Sequence, residues 1–278
     1  MKVSKLPLFS IFLIAILVAS SFISTSLFPV EVAHAASCPV TDGDGGDGDA
    51  VVGQYTMNGG GTVTWAPTDA TAFDCSTLSF IITNNTTLTI NQNPANGYIG
   101  QINAIDMTID SGSYLNANGE GCRPNYDGQA AQSYGPNTST NVCEVGGAGI
   151  GSNPTSTGTS KAGGGAGHCG AGGNGSGPIS GGSSYDSESN PVLFGAAGGS
   201  ANWYGPYDWG GYGGGVIKLN LSGTLDNDGT IQSNGWDSCP SGCSGYRGGG
   251  GGSGGSINIT AATLEGGGNI NANVWRWR

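Results

Sequence analysis

The side chains of this sequence best suited to ligand chemistry are aromatic rings that cluster around one carboxylate. The cluster comprises Trp203, Tyr204, Tyr207, Asp208, Trp209 and Tyr212, and Trp236 follows in a later segment. Flat aromatic faces cover the apolar face of a sugar ring at low cost in conformational entropy. A carboxylate among them accepts hydrogen bonds from sugar hydroxyls. We therefore predict that these seven residues contact a glycan; the alternative is that the rings shield a flank of the fold.

A second group with chemical potential is a run of aspartates near the start of the sequence. Its members are Asp42, Asp44, Asp47 and Asp49. Hard cations such as Ca²⁺ prefer several carboxylate oxygens, but the run lacks the glutamate at the twelfth position of an EF-hand loop. These four residues are the candidate calcium ligands, with an acidic, solvated turn as the alternative. We expect no other cofactor.

Acid–base machinery is sparse, since the sequence holds two histidines, His34 and His168. Polysaccharide hydrolases need two carboxylates that flank the scissile bond, and lyases need a base beside a charge-stabilising group. The nearest candidates are the pairs Asp226 with Asp228 and Asp106 with Asp110. Neither pair lies in a recognisable motif with a histidine or a basic side chain. We therefore predict a protein that is not an enzyme, with a polysaccharide lyase or hydrolase as the catalytic alternative.

Seven cysteines in an exported chain predict disulfides, with one thiol left over. The expected pairs are Cys38 with Cys75, Cys122 with Cys143, and Cys239 with Cys243, although connectivity does not follow from sequence. A Cys122–Cys143 bridge would close a loop of about 20 residues and stabilise the fold by roughly 3 kcal/mol. Cys169 is then free or intermolecular. The alternative is a metal site formed by His168, Cys169, Cys239 and Cys243, which lacks the paired CxxC spacing of zinc sites.

Export itself is predicted by the first 36 residues. Lys2 and Lys5 precede an apolar stretch that runs to about residue 30, and Ala33-His34-Ala35 supplies a signal-peptidase site. An uncleaved membrane anchor and lipidation at Cys38 are the alternatives. No later apolar run is long enough to span a membrane, so we expect no span after cleavage.

A repeat near the end of the sequence predicts the fold. The segment from Gly214 aligns with the one from Gly254, at an offset of 40 residues at Ile217/Ile257 and 39 at Ile231/Ile270. The residues from Ser111 to Gly119 repeat the second half of this unit. Apolar residues alternate within each copy, which is typical of short strands with one buried face. Because one unit cannot bury its own apolar face, we predict an all-β parallel β-helix (solenoid), with an antiparallel β-sandwich as the alternative.

The sequence also resembles exported glycine-rich proteins of bacterial cell surfaces that are predicted to be β-helical. The resemblance rests on the Asp/Gly-rich start from Thr41 to Asp49, the Leu88-Thr89-Ile90 strand, the step from Leu115 to Gly119 and the glycine tract into Ser256-Ile257. It implies an adhesin-like surface protein and no catalytic residues. The ending Val274-Trp275-Arg276-Trp277-Arg278 departs from the pattern, and either caps the open sheet edge or reflects a truncated frame.

A glycine-rich insertion interrupts the repeat and completes the predicted organisation. Gly164, Gly167, Gly170 and Gly173 recur every third residue, as in extended three-per-turn helices packed side by side. This spacing is similar to the glycine-rich receptor-binding tips of some phage tail adhesins; a flexible linker is the alternative. The predicted segments are a signal peptide (1–36), N-terminal solenoid rungs (37–119), the insertion (120–213) and C-terminal solenoid repeats (214–278).

Composition restricts the partners. Glycine makes up 55 of 278 residues, and the formal net charge is −11 with a pI near 4.2. Without a basic surface, nucleic acid is excluded as a partner. We predict a secreted or cell-surface protein that binds extracellular glycans or cell-surface components without catalysis. A purely structural envelope protein is a further alternative.

Overall fold

The computed structural model describes residues 49–51, 53–67, 72–126, 131–153, 162–201, 209–238 and 248–274. The chain divides into two compact units, Met1–Ser37 and Cys38–Arg278, and every described residue belongs to the second. Within the described residues the secondary structure is all β, with no helix.

The strands are short because turn residues interrupt the alternating apolar pattern every few positions. The first nine are β1 (Asp49–Val51), β2 (Gln54–Met57), β3 (Thr62–Trp65), β4 (Phe73–Cys75), β5 (Ser79–Ile82), β6 (Thr87–Ile90), β7 (Gly100–Ala104), β8 (Met107–Ile109) and β9 (Tyr114–Asn116). The next four are β10 (Asn125–Tyr126), β11 (Ala131–Gln132), β12 (Tyr134–Pro136) and β13 (Cys143–Val145). The last six are β14 (Val216–Leu221), β15 (Thr224–Asn227), β16 (Thr230–Gln232), β17 (Ser256–Thr260), β18 (Thr263–Glu265) and β19 (Asn269–Asn271).

Three sheets contain most of these strands. Their strand orders are β1-β2-β5-β8-β15-β18, β17-β14-β7-β4 and β19-β16-β9-β6-β3. Three consecutive strands, one in each sheet, form what we call a strand triplet: β4–β5–β6, β7–β8–β9, β14–β15–β16 and β17–β18–β19. Each strand pairs in parallel with its counterpart in the next triplet. In these three sheets β1 alone pairs antiparallel, with β2, so the described strands do not form an antiparallel sandwich.

The register of these sheets puts like residues beside like. Ile217 pairs with Ile257, and Ile231 with Ile270, which are the positions that the 40- and 39-residue offsets align. Leu115 pairs with Ile231, which lies 116 positions later in the chain, beyond the glycine-rich insertion. Parallel partners therefore pack the same face against one core.

The core lies on the side of the three sheets where the alternating apolar residues meet. Phe80, Met107 and Leu225 form one fully buried row, and Leu88, Leu115 and Ile231 form another. Both rows run out in the last triplet, where Leu264 is 61% exposed and Ile270 43% exposed.

Turns between strands use residues that tolerate left-handed backbone. Asn84 and Asn85 both have positive φ between β5 and β6, and Gly112 has φ +83° at the equivalent place between β8 and β9. A β-carbon on Gly112 would lie 2.3 Å from the Asn85 Oδ1 atom, so glycine is required there both by space and by conformation.

The described part of the glycine-rich insertion is a layer of extended chain joined by backbone hydrogen bonds rather than a free linker. Gly199 N–H donates to Gly164 O at 2.8 Å, and Gly250 N–H donates to Gly199 O at 2.7 Å. A β-carbon at Gly164 or Gly167 would come within 2.5 Å of a neighbouring carbonyl oxygen. Gly170 and Gly173 meet nothing within 4 Å, so close packing explains only the first two members of the three-residue spacing.

Candidate functional site

Two of the predicted ligand-binding aromatics come together on the surface of the protein. Tyr212 lies in the glycine tract that leads into β14, and Trp236 lies four residues after β16 ends. The backbone N–H of Trp236 donates to the backbone carbonyl oxygen of Tyr212 at 2.8 Å, which ties the two segments together. Their rings stack with centroids 5.4 Å apart and planes 12° apart.

A basic side chain extends this pair to three members. The Arg123 guanidinium carbon lies 5.4 Å from the centroid of the Tyr212 ring, within the range of a cation–π contact. We call Arg123, Tyr212 and Trp236 the aromatic stack. Arg123 also forms an ion pair with Glu120, at 3.2 Å from Nη2 to Oε2, in which the Arg123 side chain is exposed and the Glu120 side chain is mostly buried. Burial raises the pKa of Glu120, while the charge of Arg123 opposes that rise.

The backbone under the aromatic stack is fixed by close packing. Cys122 N–H donates to Gly195 O, and Gly213 N–H donates to Cys122 O, so the segments of Arg123 and Tyr212 run side by side. Gly119 has φ +68°, and a β-carbon there would come 2.5 Å from the Trp236 ring. The indole therefore rests on bare backbone, yet Trp236 remains 40% exposed. Its free surface and the Arg123–Glu120 pair together offer an apolar face beside hydrogen-bonding groups.

The other predicted ligand-binding residues are placed differently. Trp209 is half-buried, and its indole Nε1–H is buried with no hydrogen-bond partner among the described residues. Trp203, Tyr204, Tyr207 and Asp208 lie outside the described residues. Sequence reasoning did not select Arg123 or Glu120, because their proximity to Tyr212 depends on backbone contacts between segments about 90 positions apart.

Most of the predicted calcium ligands also lie outside the described residues. Asp42, Asp44 and Asp47 are not described, and Asp49 is the first residue of β1. Among the described residues, no three His, Cys, Asp or Glu side chains gather as a metal site would require.

Three of the four aspartates of the candidate catalytic pairs accept hydrogen bonds from neighbouring triplets. Asp106 accepts hydrogen bonds from Thr224 N–H at 2.7 Å and from the Ser79 hydroxyl at 3.2 Å. Asp228 accepts one from Gly267 N–H at 2.9 Å, and Asp110 accepts one from the Thr83 hydroxyl. Each of these three carboxylates thus links its own triplet to an adjacent one. Asp226 pairs in register with Glu265 of the next triplet.

The cysteines agree with the predicted framework where they are described. The Cys122–Cys143 disulfide is confirmed, with its Cα atoms 5.5 Å apart. Cys75 is disulfide-bonded. The prediction for Cys38, Cys239 and Cys243 lies outside the described residues. Cys169 is the free cysteine of the described part of the chain, and it is exposed.

A buried polar cluster that the sequence did not reveal surrounds His168. Its Nε2 lies 3.2 Å from Asp186 Oδ2, and Ser256 Oγ lies 3.0 Å from the same oxygen and 3.5 Å from Nε2. The three residue types are those of a serine-hydrolase triad, but serine and aspartate here face the same imidazole nitrogen. Ser256 is 1% exposed and donates to Leu193 O at 2.7 Å. This serine is therefore a structural hydrogen-bonding group and not a nucleophile.

Asp186 is the centre of that cluster. Although burial of its side chain favours the neutral form, hydrogen bonds from His168 and from the backbone N–H groups of Leu193, Ser187 and Val192 outweigh it and lower the pKa of the carboxyl. Asp186 is therefore ionised at neutral pH. Its φ of +67° turns the chain so that one carboxylate reaches all three N–H groups.

Nothing in the described residues forms a helix long and apolar enough to cross a membrane. No family model, curated protein or solved structure matches the chain.

Proposed function

We propose that this chain is an exported, non-catalytic surface protein that binds glycans through the aromatic stack. The observation that carries the proposal is the exposed Trp236 stacked on Tyr212, with Arg123 and Glu120 beside the rings. Sugar rings present apolar C–H faces and polar hydroxyl edges, and this arrangement offers a partner to each.

The fold supports this proposal by holding the stack rigidly. We interpret the four strand triplets, which pair in parallel and in register, as successive rungs of a parallel β-helix. On such a scaffold the segments that carry Arg123, Tyr212 and Trp236 are fixed by backbone hydrogen bonds to one another. Rigid aromatic groups lose little entropy when a ligand binds. Under the same proposal, residues 1–36 are a signal peptide, and the protein acts at the cell surface or in the extracellular medium.

Carboxylate placement favours binding over catalysis. Asp106, Asp110 and Asp228 are engaged in bonds between neighbouring triplets. A glycosidase acid and its partner carboxylate must instead flank an open sugar site.

Retention on insoluble polysaccharides and on whole cells tests the proposal. We expect the purified protein to be retained by at least one glycan without release of soluble sugar, and to be retained in the presence of a chelator. Trp236→Ala removes the exposed ring, and its half-saturating concentration should rise about tenfold, as for the loss of an aromatic anchor.

Tyr114→Ala is the matched control, because Tyr114 is an aromatic residue of similar exposure, 38%, that is not part of the stack. Equal retention of the wild-type protein and the Trp236→Ala variant would contradict the proposed site. Release of oligosaccharides would contradict the non-catalytic assignment. The absence of any retention would favour a purely structural envelope protein.

A further inference from the structure

The exposed thiol of Cys169 lies against a buried histidine. Its Sγ atom is 3.9 Å from Nδ1 of His168, whose residue is only 6% exposed. The His168 ring is held by an edge contact with the Tyr185 ring, at 4.8 Å between centroids. The thiol therefore has a fixed imidazole neighbour.

Asp186 decides which nitrogen of His168 carries the proton. Because its ionised carboxylate lies 3.2 Å from Nε2, the neutral imidazole keeps its hydrogen there and donates it to Asp186. The lone pair of Nδ1 then points toward Cys169 Sγ. Nucleophile, base and orienting carboxylate thus stand in the order thiol–imidazole–carboxylate, the arrangement that activates nucleophilic thiols.

A cleft opens beside this thiol. It has a volume of about 1080 Å³, and two glycine tracts, within 162–175 and 248–255, form most of its wall. Of its lining residues, His168 and Cys169 are the ones that titrate. Glycine walls leave the sulfur accessible to a partner that brings its own side chains or backbone close.

The charged groups around the thiol determine how it reacts. Partial desolvation of the sulfur raises the pKa of Cys169, and the negative charges of Asp186 and Glu188 add to the rise. The hydroxyl of Tyr185 adds no charge at ordinary pH, because burial raises its pKa. At neutral pH the sulfur is therefore a thiol rather than a thiolate, and it needs a base to react.

We propose that Cys169, His168 and Asp186 form a thiol–disulfide exchange site through which this protein becomes covalently joined to a disulfide-bearing molecule. His168 Nδ1 accepts the thiol proton as Cys169 Sγ attacks one sulfur of the partner disulfide. A new S–S bond forms, the partner's S–S bond breaks, and the departing thiolate takes the proton from His168. The products are a mixed disulfide between Cys169 and one sulfur of the partner, and a thiol on the partner's other sulfur, so no further oxidant is needed.

A disulfide is the electrophile that the surroundings favour. The structure already contains the Cys122–Cys143 bridge and a second disulfide at Cys75. Such bridges persist in oxidising compartments, where disulfides are available to a free thiol.

The test is the rate at which purified protein reacts with 4,4′-dithiodipyridine, followed by absorbance of the released thiopyridone between pH 6 and 10. Cys169→Ser supplies the blank for other thiols. With His168 as the base, we expect the wild-type rate constant to change less than threefold between pH 7.5 and 9. His168→Gln keeps a donor toward Asp186 but removes the base, so its rate at pH 7 should fall at least tenfold and rise about tenfold per pH unit.

The two rates should approach each other toward the alkaline end of the range, because the fraction of thiolate that forms without a base rises with pH. A wild-type rate that rises tenfold per unit across pH 7.5–9 would overturn the proposal, and this measurement stands even where His168→Gln fails to fold. Equal rates for a folded His168→Gln variant and the wild-type protein at pH 7 would overturn it as well.

Discussion

At the scale of single residues, Asp186 shows how one side chain can organise several segments. Its carboxylate accepts hydrogen bonds from Val192 and Leu193 N–H through one oxygen and from Ser187 N–H through the other. The same group orients His168. The side chain is 4% exposed, so a neutral or missing carboxylate would leave buried donors without a charged acceptor.

Asp186→Asn should therefore lower the free energy of unfolding at pH 7 by about 2–4 kcal/mol, because the amide faces backbone N–H donors with its own N–H₂ group. The folded pKa of Asp186 lies below its unfolded value, so its contribution is present above about pH 4 and is lost as pH falls through the folded pKa. Thermal denaturation of both proteins from pH 7 down to pH 3 checks this. The difference in Tm should narrow toward pH 3; a constant difference would show that charge is not the cause.

Sequence alone could not find this cluster. Asp186 reads as one polar residue in a serine-rich loop, and His168 and Ser256 lie 18 and 70 positions away from it. No periodic pattern links the three. Their meeting depends on backbone hydrogen bonds between glycine tracts, which carry no side-chain signal.

At the scale of elements, strands and glycine tracts differ in how they can be predicted. The alternation Ile217, Leu219, Leu221 gives β14 its buried face, and the same pattern gives the register with β17. The expected requirement for glycine is met at Gly164 and Gly167 and not at Gly170 or Gly173. A three-residue spacing states which positions are alike but not which of them another segment covers.

Two glycine substitutions separate packing from backbone flexibility. A β-carbon at Gly250 would come 1.9 Å from Gly164 O, whereas one at Gly173 would meet nothing within 4 Å. We expect Gly250→Ala to lower Tm strongly, because backbone must shift to admit the methyl group. Gly173→Ala should leave Tm unchanged or raise it slightly. Alanine lowers the conformational entropy of the unfolded chain, which stabilises the folded state by about 0.4–1 kcal/mol.

Thermal denaturation of the two variants under one condition is the measurement. A Tm for Gly250→Ala within one degree of the wild-type value would mean that the described glycine layer does not pack as tightly as its distances state.

At the scale of the whole molecule, the sequence predicted an all-β chain because burial imposes a period of two on each strand. It predicted parallel pairing because similar units recur at an offset of 39–40 residues, and those units do pair in parallel. The route of the long insertion was not predictable. The insertion contributes Cys122 and Phe194 to a second, small apolar cluster that also contains Val216, the first residue of β14. Cys122 belongs both to this cluster and to the disulfide with Cys143, so the bridge ties the segment of Cys143 to the place where the insertion packs against β14.

Loss of that bridge should therefore weaken both stability and ligand binding. In a Cys122→Ser/Cys143→Ser variant, the unfolded chain regains the freedom of a loop whose ends are 21 positions apart. The expected cost is about 3 kcal/mol, or roughly 6–12 °C in Tm for a domain of this size. Glycan retention should fall as well, because Arg123 of the aromatic stack is the next residue along the chain. Cys169→Ser is the control, since Cys169 is exposed and forms no disulfide, and the Tm of this variant should match the wild-type value. If the double variant had the same Tm as the wild-type protein, the bridge would not anchor the insertion. The rigidity of the aromatic stack would then have to come from the glycine backbone alone.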